Sequence, residues 1–299
     1  MDSRLIALCI LAAAVSWLGA YLSRRMSFLV DHPNQRSSHS IPTPRSGGIG
    51  FGFAFLSMAS VAMVTGVVDP DSGEQSLFGV LLVLTPIWIV GMIDDARGVS
   101  RTVRYAVQLA SAVLAVIWFG AFAGLEAIPG VGDLGWLVGI GSVVVITALI
   151  NFFNFMDGLD GLVGSTTTIQ LITIAIILDQ QLWLLLAAAV VGFLYWNWPP
   201  ARVFMGDSGS TLIGGAVALA LLLTDNSRSM WLASLVALPL VGDAVFTIAR
   251  RLLAGENIFD AHRSHIYQRL NGAGWSHLRV TSTYSVVTLL LAALALILQ

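Results

Sequence analysis

Ten apolar runs dominate the chain, and each is long enough, or nearly so, to cross a bilayer as a helix. A membrane-spanning helix takes about 20 mostly apolar residues. The runs lie near residues 4–22, 49–67, 77–92, 105–122 and 136–150, then 162–178, 182–196, 211–223, 230–249 and 280–298. Composition agrees: 57% of the 299 residues are hydrophobic and 11% are charged, against roughly 25% charged in an ordinary soluble domain. So few charges exclude a soluble globule, a disordered chain and a disulfide-rich secreted domain. The single cysteine, Cys9, has no partner for an internal disulfide. The sequence therefore predicts an all-α fold, a polytopic membrane helix bundle of about ten transmembrane helices. No repeat or long linker divides it, so residues 1–299 read as one integral membrane domain. The first run lacks a basic stretch ahead of it and a small-residue cleavage site, and Arg24 and Arg25 follow it. It reads as a retained span and not as a leader.

Ten spans put both termini on one side and sort the loops into two sets. One set holds Arg24, Arg25, Arg36, Arg45, Arg97, Arg101, Arg104, Arg202, Arg250, Arg251, Arg263, Arg269 and Arg279, and the other only Arg4 and Arg228. Thirteen against two makes the first set cytoplasmic by the positive-inside rule. The opposite loops lean acidic, with Asp69, Asp71, Glu74, Glu126, Asp133, Asp179 and Asp225. All five histidines and Asp94, Asp95, Asp157, Asp160 and Asp207 share the arginine-rich side. That convergence predicts an active site built from several loops on the cytoplasmic face. The net charge of −2 gives no basic field for nucleic acid. All 15 basic residues are arginine, which suits bidentate phosphate recognition and equally fits codon bias. Pro-Gly and Gly-Asp pairs in the outer loop 124–135 predict a short hairpin.

Five segments carry candidate chemistry. Residues 31–48, DHPNQRSSHSIPTPRSGG, join Arg36, His39 and Arg45 to a double glycine, either a phosphate grip or a plain juxtamembrane loop. Asp94 and Asp95 end the third span, and Arg101 and Arg104 follow on one helical face. Adjacent carboxylates there suit a divalent cation or a general base, or a solvated helix end. Residues 151–162, NFFNFMDGLDGL, set Asp157 and Asp160 around a glycine turn. The ladder of a calcium-binding EF-hand is absent. Residues 197–210, NWPPARVFMGDSGS, place Asp207 between glycines at a helix start, a good magnesium ligand. Residues 261–270, AHRSHIYQRL, hold His262 and His265 three apart. With no third ligand nearby, they suit hydrogen bonds to a sugar or phosphate better than zinc. Asp243, inside the ninth span, is either functional or a structural polar contact.

These motifs, in this order from Asp31 to Arg269, resemble the polyprenyl-phosphate N-acetylaminosugar-1-phosphate transferase family, the MraY/WecA superfamily. The resemblance implies transfer of a sugar 1-phosphate from a UDP-N-acetylaminosugar to undecaprenyl phosphate, with release of UMP (an activity of class EC 2.7.8.-). It implies Mg²⁺, with Mn²⁺ as an alternative. It assigns Asp207 to the metal and Asp94 and Asp95 to catalysis beside the lipid phosphate. Asn154, Asp157, Asp160, Asn197 and Phe204 match nucleotide-pocket positions. Arg45, Arg101, Arg104, His262, Arg263 and His265 match the phosphate- and sugar-binding side. It implies a multi-pass protein of the bacterial inner membrane, in contact with membrane lipid, either monomeric or a homodimer.

The sequence departs from the peptidoglycan branch, which carries three consecutive histidines where this chain has His-x-x-His. The short chain and AHRSHIYQRL look more like the O-antigen-initiating WbpL-like branch. That implies an N-acetylglucosamine (GlcNAc), N-acetylfucosamine (FucNAc) or N-acetylquinovosamine (QuiNAc) donor in lipopolysaccharide or related envelope synthesis. Two rival classes fit less of the chain. A transporter would place its polar site near the midplane of repeated helices. An intramembrane aspartyl protease would need glycine where Phe204 stands and leaves the 151–162 motif unexplained.

Overall fold

The computed structural model describes residues 2–31, 33, 41–68, 74–257 and 262–299. His32, Arg36, His39, Asp69 and Asp71 lie outside the described residues. Each predicted apolar run is helical. The helices are α1 (Ser3–Met26), α2 (Gly47–Thr65), α3 (Glu74–Arg97), α4 (Arg101–Phe119), then, after the one-turn α5 (Ala123–Glu126), α6 (Gly135–Met156). They continue as α7 (Leu162–Ile177), α8 (Leu182–Asn197), α9 (Gly206–Leu222), α10 (Ser227–Ser234) with α11 (Leu238–Leu253), and, after the short α12 (Ile266–Gly272), α13 (His277–Leu298). One two-residue strand pair, Val30–Asp31 with Thr43–Pro44, ties the two ends of the first motif together. The chain is a multi-pass, all-α membrane protein. Its outer surfaces are apolar: Val64, Ile117, Trp136 and Leu253 are among the exposed side chains.

Two details differ from the sequence reading. The ninth run is not one helix. It breaks into α10, a 3₁₀ turn (Leu235–Ala237) and α11, which has Pro239 in its first turn. Proline has no N–H and fits the first turn of a new helix better than the interior of an old one. The outer loop 124–135 is no hairpin. It holds most of α5 and consecutive turns, because Pro129 and four glycines leave no run long enough to pair as strands.

Helix α9 is the axis of the bundle. It has 17 residues, and Ser208 through Leu222 are all buried. At 1.5 Å per residue it is about 26 Å long, short of a hydrocarbon core of about 30 Å. It can be short because α2, α3, α6 and α7 surround it instead of lipid. Small residues allow the approach, as expected where helices associate by packing. A Cβ at Gly48 would strike the backbone of Gly209, one at Gly91 would lie 2.5 Å from Ser208 Cα, and one at Gly214 would lie 2.7 Å from Ile150 Cα. Helices α2 and α3 therefore cross α9 at its first turn, where the polar residues sit.

Gly48→Ala should destabilise the bundle by about 1–3 kcal/mol, because a backbone must move to admit the methyl group. Gly242→Ala in α11 meets nothing within 4 Å and should be neutral or stabilise by up to about 1 kcal/mol. Thermal melts in detergent compare the two.

Candidate active site

The first turn of α9 has free N–H groups, as every helix start does. Its own N-cap residue, Met205, offers no capping side chain. The cap comes from α3. Asp95 Oδ1 accepts the N–H of Asp207 at 2.9 Å, and Oδ2 accepts the N–H of Ser208 at 3.0 Å. Gly91, one turn earlier on α3, lets the two backbones meet closely enough for this. Gly206 turns at φ +76°, and a Cβ there would meet Arg45 O and the Asp95 carboxylate. Arg45 closes the arrangement: Nη2 donates to Asp95 O at 3.0 Å, and Nε lies 3.9 Å from Asp95 Oδ1. The Asp95 side chain is 1% exposed. Its charge faces the positive end of α9, where a carboxylate is favoured.

Asp94 points elsewhere. Its Oδ2 lies 2.6 Å from Arg104 Nη1, and its Oδ1 accepts the N–H of Val99. The same Nη1 also contacts Asp207 Oδ2. Asp207 Oδ1 accepts from Asn154 Nδ2 at 3.2 Å, and that nitrogen also donates to Ser210 Oγ at 3.0 Å. Side chains from the ends of α3, α4, α6 and α9 thus meet at one point. Asp94, Arg104 and Asp207 keep 13%, 30% and 30% of their side-chain surface open. Among the described residues no three His, Cys, Asp or Glu side chains close on one centre. Two carboxylates with open positions still suit magnesium, which keeps waters and takes substrate phosphate oxygens to complete its shell. Arg104 marks where positive charge is favoured between them.

The first and fourth motifs are stitched together by backbone. Phe204 N–H donates to Pro44 O at 2.7 Å, Gly47 N–H to Phe204 O at 3.0 Å, and Gly48 N–H to Met205 O at 2.8 Å. Trp88 Nε1 donates to Gly48 O at 3.0 Å from α3. Asn197 is buried and spends both ends of its amide on the chain, accepting from Gly161 N–H and donating to Val203 O, each at 3.0 Å. It joins the third motif to the fourth. Asp160 does similar work: Oδ2 accepts from Ala201 N–H at 3.0 Å and lies 3.1 Å from His277 Nδ1. Asp157, just past α6, faces a crowd of like charge. Burial, then the carboxylates of Asp207, Asp95 and Asp160, push its pKa up to about 8. Arg101 stands exposed at the start of α4.

The histidine motif sits on a second buried aspartate. Asp243 Oδ1 accepts the N–H of Ile266 at 2.8 Å, and Oδ2 accepts the N–H of Tyr267 at 3.0 Å and the Tyr284 hydroxyl at 2.7 Å. Asp243 is therefore a cap for α12, the structural alternative of the two open in the sequence. His265 is buried with Nδ1 3.4 Å from Asp243 Oδ1, and its ring lies 5.0 Å from His262 and 6.2 Å from Phe155. The Tyr267 hydroxyl donates to Phe155 O at 3.0 Å, docking α12 on the end of α6. His262 hydrogen-bonds Ser264 Oγ through Nδ1. Burial, then Arg251 and His265, lower its pKa, so it presents a neutral ring. Arg263 is exposed beside it. The motif thus borders the 151–162 turn, while Asp94 and Asp207 meet at Arg104. Residue type alone gave no reason to select Ser210, His277, Tyr267 or Tyr284. Ser210 had a positional signal, three residues past Asp207 on the same helix.

Comparison with known proteins gives the family. Residues 77–225 match glycosyl transferase family 4. A Bacillus subtilis probable undecaprenyl-phosphate N-acetylglucosaminyl 1-phosphate transferase is 27% identical over 262 residues, covering 83% of this chain and 71% of its own. A Mycobacterium tuberculosis decaprenyl-phosphate N-acetylglucosaminephosphotransferase is 30% identical, covering 84% and 71%. A Shouchella clausii phospho-N-acetylmuramoyl-pentapeptide-transferase is 30% identical, covering 84% and 81%. The chain belongs to glycosyl transferase family 4, within the MraY/WecA superfamily. The matched stretch of the family holds Asp94, Asp95, Arg104, Asn154, Asp157 and Asp207, whereas Arg45 and the histidine motif lie outside it.

The raised pKa of Asp157 has a stability consequence. The folded chain holds that proton up to about pH 8, while an unfolded carboxyl releases it near pH 4. Folding therefore loses stability as pH rises between those values. In EDTA, Asp157→Asn should melt above the wild type at pH 8, and the gap should shrink toward pH 5. A gap that does not change with pH would contradict the assignment.

Proposed function

We propose that the protein transfers an N-acetylaminosugar 1-phosphate from a UDP-sugar to undecaprenyl phosphate at the cytoplasmic face of a bacterial inner membrane, releasing UMP. The observation that carries the reading is the meeting of Asp94 and Asp207 on one nitrogen of Arg104. Two anionic substrates must be brought together, and their repulsion is the chief electrostatic obstacle. Asp207 and Asp94 would hold magnesium. Bound there, the ion would offset the repulsion and take up charge on the leaving UMP. Arg104, released from the two carboxylates, would be placed to donate to a phosphate oxygen. In a direct transfer, an oxygen of the lipid phosphate bonds to the β-phosphorus, the bond to the bridging oxygen breaks, and UMP leaves with that oxygen. Asp94, partly open, is the carboxylate that would orient the lipid phosphate. Asp95, sealed under α9, positions Asp207 and touches no substrate. Asn154 fixes the orientation of Asp207.

The sugar is read from the histidine motif. His262, neutral and half-buried, with exposed Arg263 beside it, would accept and donate hydrogen bonds to an acetamido sugar and steady a phosphate. The spacing His-x-x-His favours a simple N-acetylhexosamine such as GlcNAc, FucNAc or QuiNAc. The product would begin an O-antigen or a related envelope polysaccharide. A transporter is disfavoured, because Asp243, the acid inside a span, is spent on capping α12.

The test uses purified protein with undecaprenyl phosphate, Mg²⁺ and a panel of UDP-N-acetylamino sugars, reading UMP and lipid-linked product by mass with and without EDTA. Magnesium-dependent UMP with a matching lipid pyrophosphate sugar is expected, and no product from folded protein with any donor would overturn the reading. Asp207→Asn and Asp94→Asn should each lower kcat by at least about 100-fold without lowering the melting temperature. Asp95→Asn should lower both, with about 1–2 kcal/mol of stability lost with the cap.

A further inference from the structure

The arginine-rich end of the bundle has a second basic site, on the α1–α8 side and built from other residues. Four aromatic rings form its floor. Trp17 and Tyr21 stack on α1 with centroids 5.7 Å apart, and Trp196 of α8 lies 5.3 Å from Trp17 and 6.0 Å from Tyr21. Tyr195 meets Trp196 edge-on at 5.2 Å. Trp196 is buried, and its indole N–H has no hydrogen-bond partner. The ring therefore serves through its π faces. Arg24 lies 5.5 Å and Arg202 4.6 Å from its centroid, and Arg202 is 4.8 Å from that of Tyr195. Arg25 donates to the Tyr21 hydroxyl at 2.9 Å. Among the described residues no carboxylate pairs with Arg24, Arg25 or Arg202.

Arg24 rests on a ring, Arg25 on a tyrosine hydroxyl, and Arg202 on two rings and the Tyr195 carbonyl, to which it donates at 2.7 Å; among the described residues none of the three is paired with an acid. A cavity of about 540 Å³ lies beside them, lined by Leu194, Tyr195, Trp198, Pro199, Pro200 and Arg202. Its wall is apolar and aromatic, with a guanidinium at the rim. Leu18, Leu22 and Val191 on the same two helices are exposed in the span below. Apolar chain surface beneath, aromatic rings at the boundary and arginines above match the profile of a phospholipid.

We propose that this cluster binds the phosphodiester headgroup of an anionic membrane phospholipid, with Arg24 and Arg202 holding the phosphate and the adjoining cavity taking the upper acyl chain. The site is separate from the Asp94–Asp207 centre and does not rest on the reaction proposed above.

Native mass spectrometry of the delipidated full chain in detergent tests it, with dioleoyl phosphatidylglycerol, dioleoyl phosphatidylcholine and inorganic phosphate as probes. The wild type should retain phosphatidylglycerol in preference to phosphatidylcholine, and millimolar phosphate should not displace it. Arg24→Gln should weaken retention about fivefold, and Arg24→Gln with Arg202→Gln about 25-fold. Arg228→Gln, at the opposite end of the bundle, should change nothing. Equal retention of the two lipids, full retention by the folded double variant, or displacement by phosphate would each overturn the proposal. Should the double variant fail to fold, the wild type decides: retention should fall as salt is raised, and salt-independent retention would contradict an arginine–phosphate site.

Discussion

A carboxylate at the end of one membrane helix holds the first turn of another. Asp95, on α3, accepts the N–H groups of Asp207 and Ser208 on α9, and much else in the bundle is arranged so that it can. Unpaired N–H groups at a buried helix start would each cost free energy, and α9 brings no cap of its own. The glycine contacts at Gly48, Gly91 and Gly209 bring the backbones close. Arg45 covers the carboxylate from the other side. Asp207 is thereby fixed by its backbone, which leaves its side chain free to face Asp94, Arg104 and Asn154.

The same device appears at the histidine motif. Asp243 caps α12 with both oxygens, as Asp95 caps α9, and the Tyr284 hydroxyl takes a remaining lone pair. In each case a buried charge is satisfied by several donors, the condition under which it can persist in an apolar bundle. Each capped helix carries chemistry that loops alone would hold loosely: Asp207 in one, the histidine pair and its flanking arginine ahead of the other. Rigid support of this kind is what a transfer between two bound phosphates needs, because positioning accounts for much of the barrier reduction.

Most of the architecture was legible in the sequence, because ten apolar runs leave little choice but helices: among the described residues seven helical stretches are long and apolar enough to cross a membrane, and α7, α8 and α9 are shorter apolar helices. Where the reading slipped, the cause is local. The run at 211–223 hid the start of α9, since Gly206 to Ser210 are polar or small and look like loop. Pro239 inside the ninth run marked a break that hydropathy averaged away. The gathering of acids on one face was visible, but not the division of labour between Asp94 and Asp95. Adjacent residues on a helix point about 100° apart, and only the position of α9 shows which one is sealed. Asn197 and Asp160 stood out as polar residues, yet their contacts join loops to one another. Their partners are backbone groups, which residue type does not reveal.

The most direct test of the account is Mn²⁺ binding followed by electron paramagnetic resonance in the wild type, Asp94→Asn, Asp207→Asn and the double variant. If both carboxylates hold one ion, each single variant should lose most of the affinity and the double variant little more. Independent, additive losses, or undiminished binding in Asp207→Asn, would contradict the claim that the ends of α3 and α9 are brought together to share one metal.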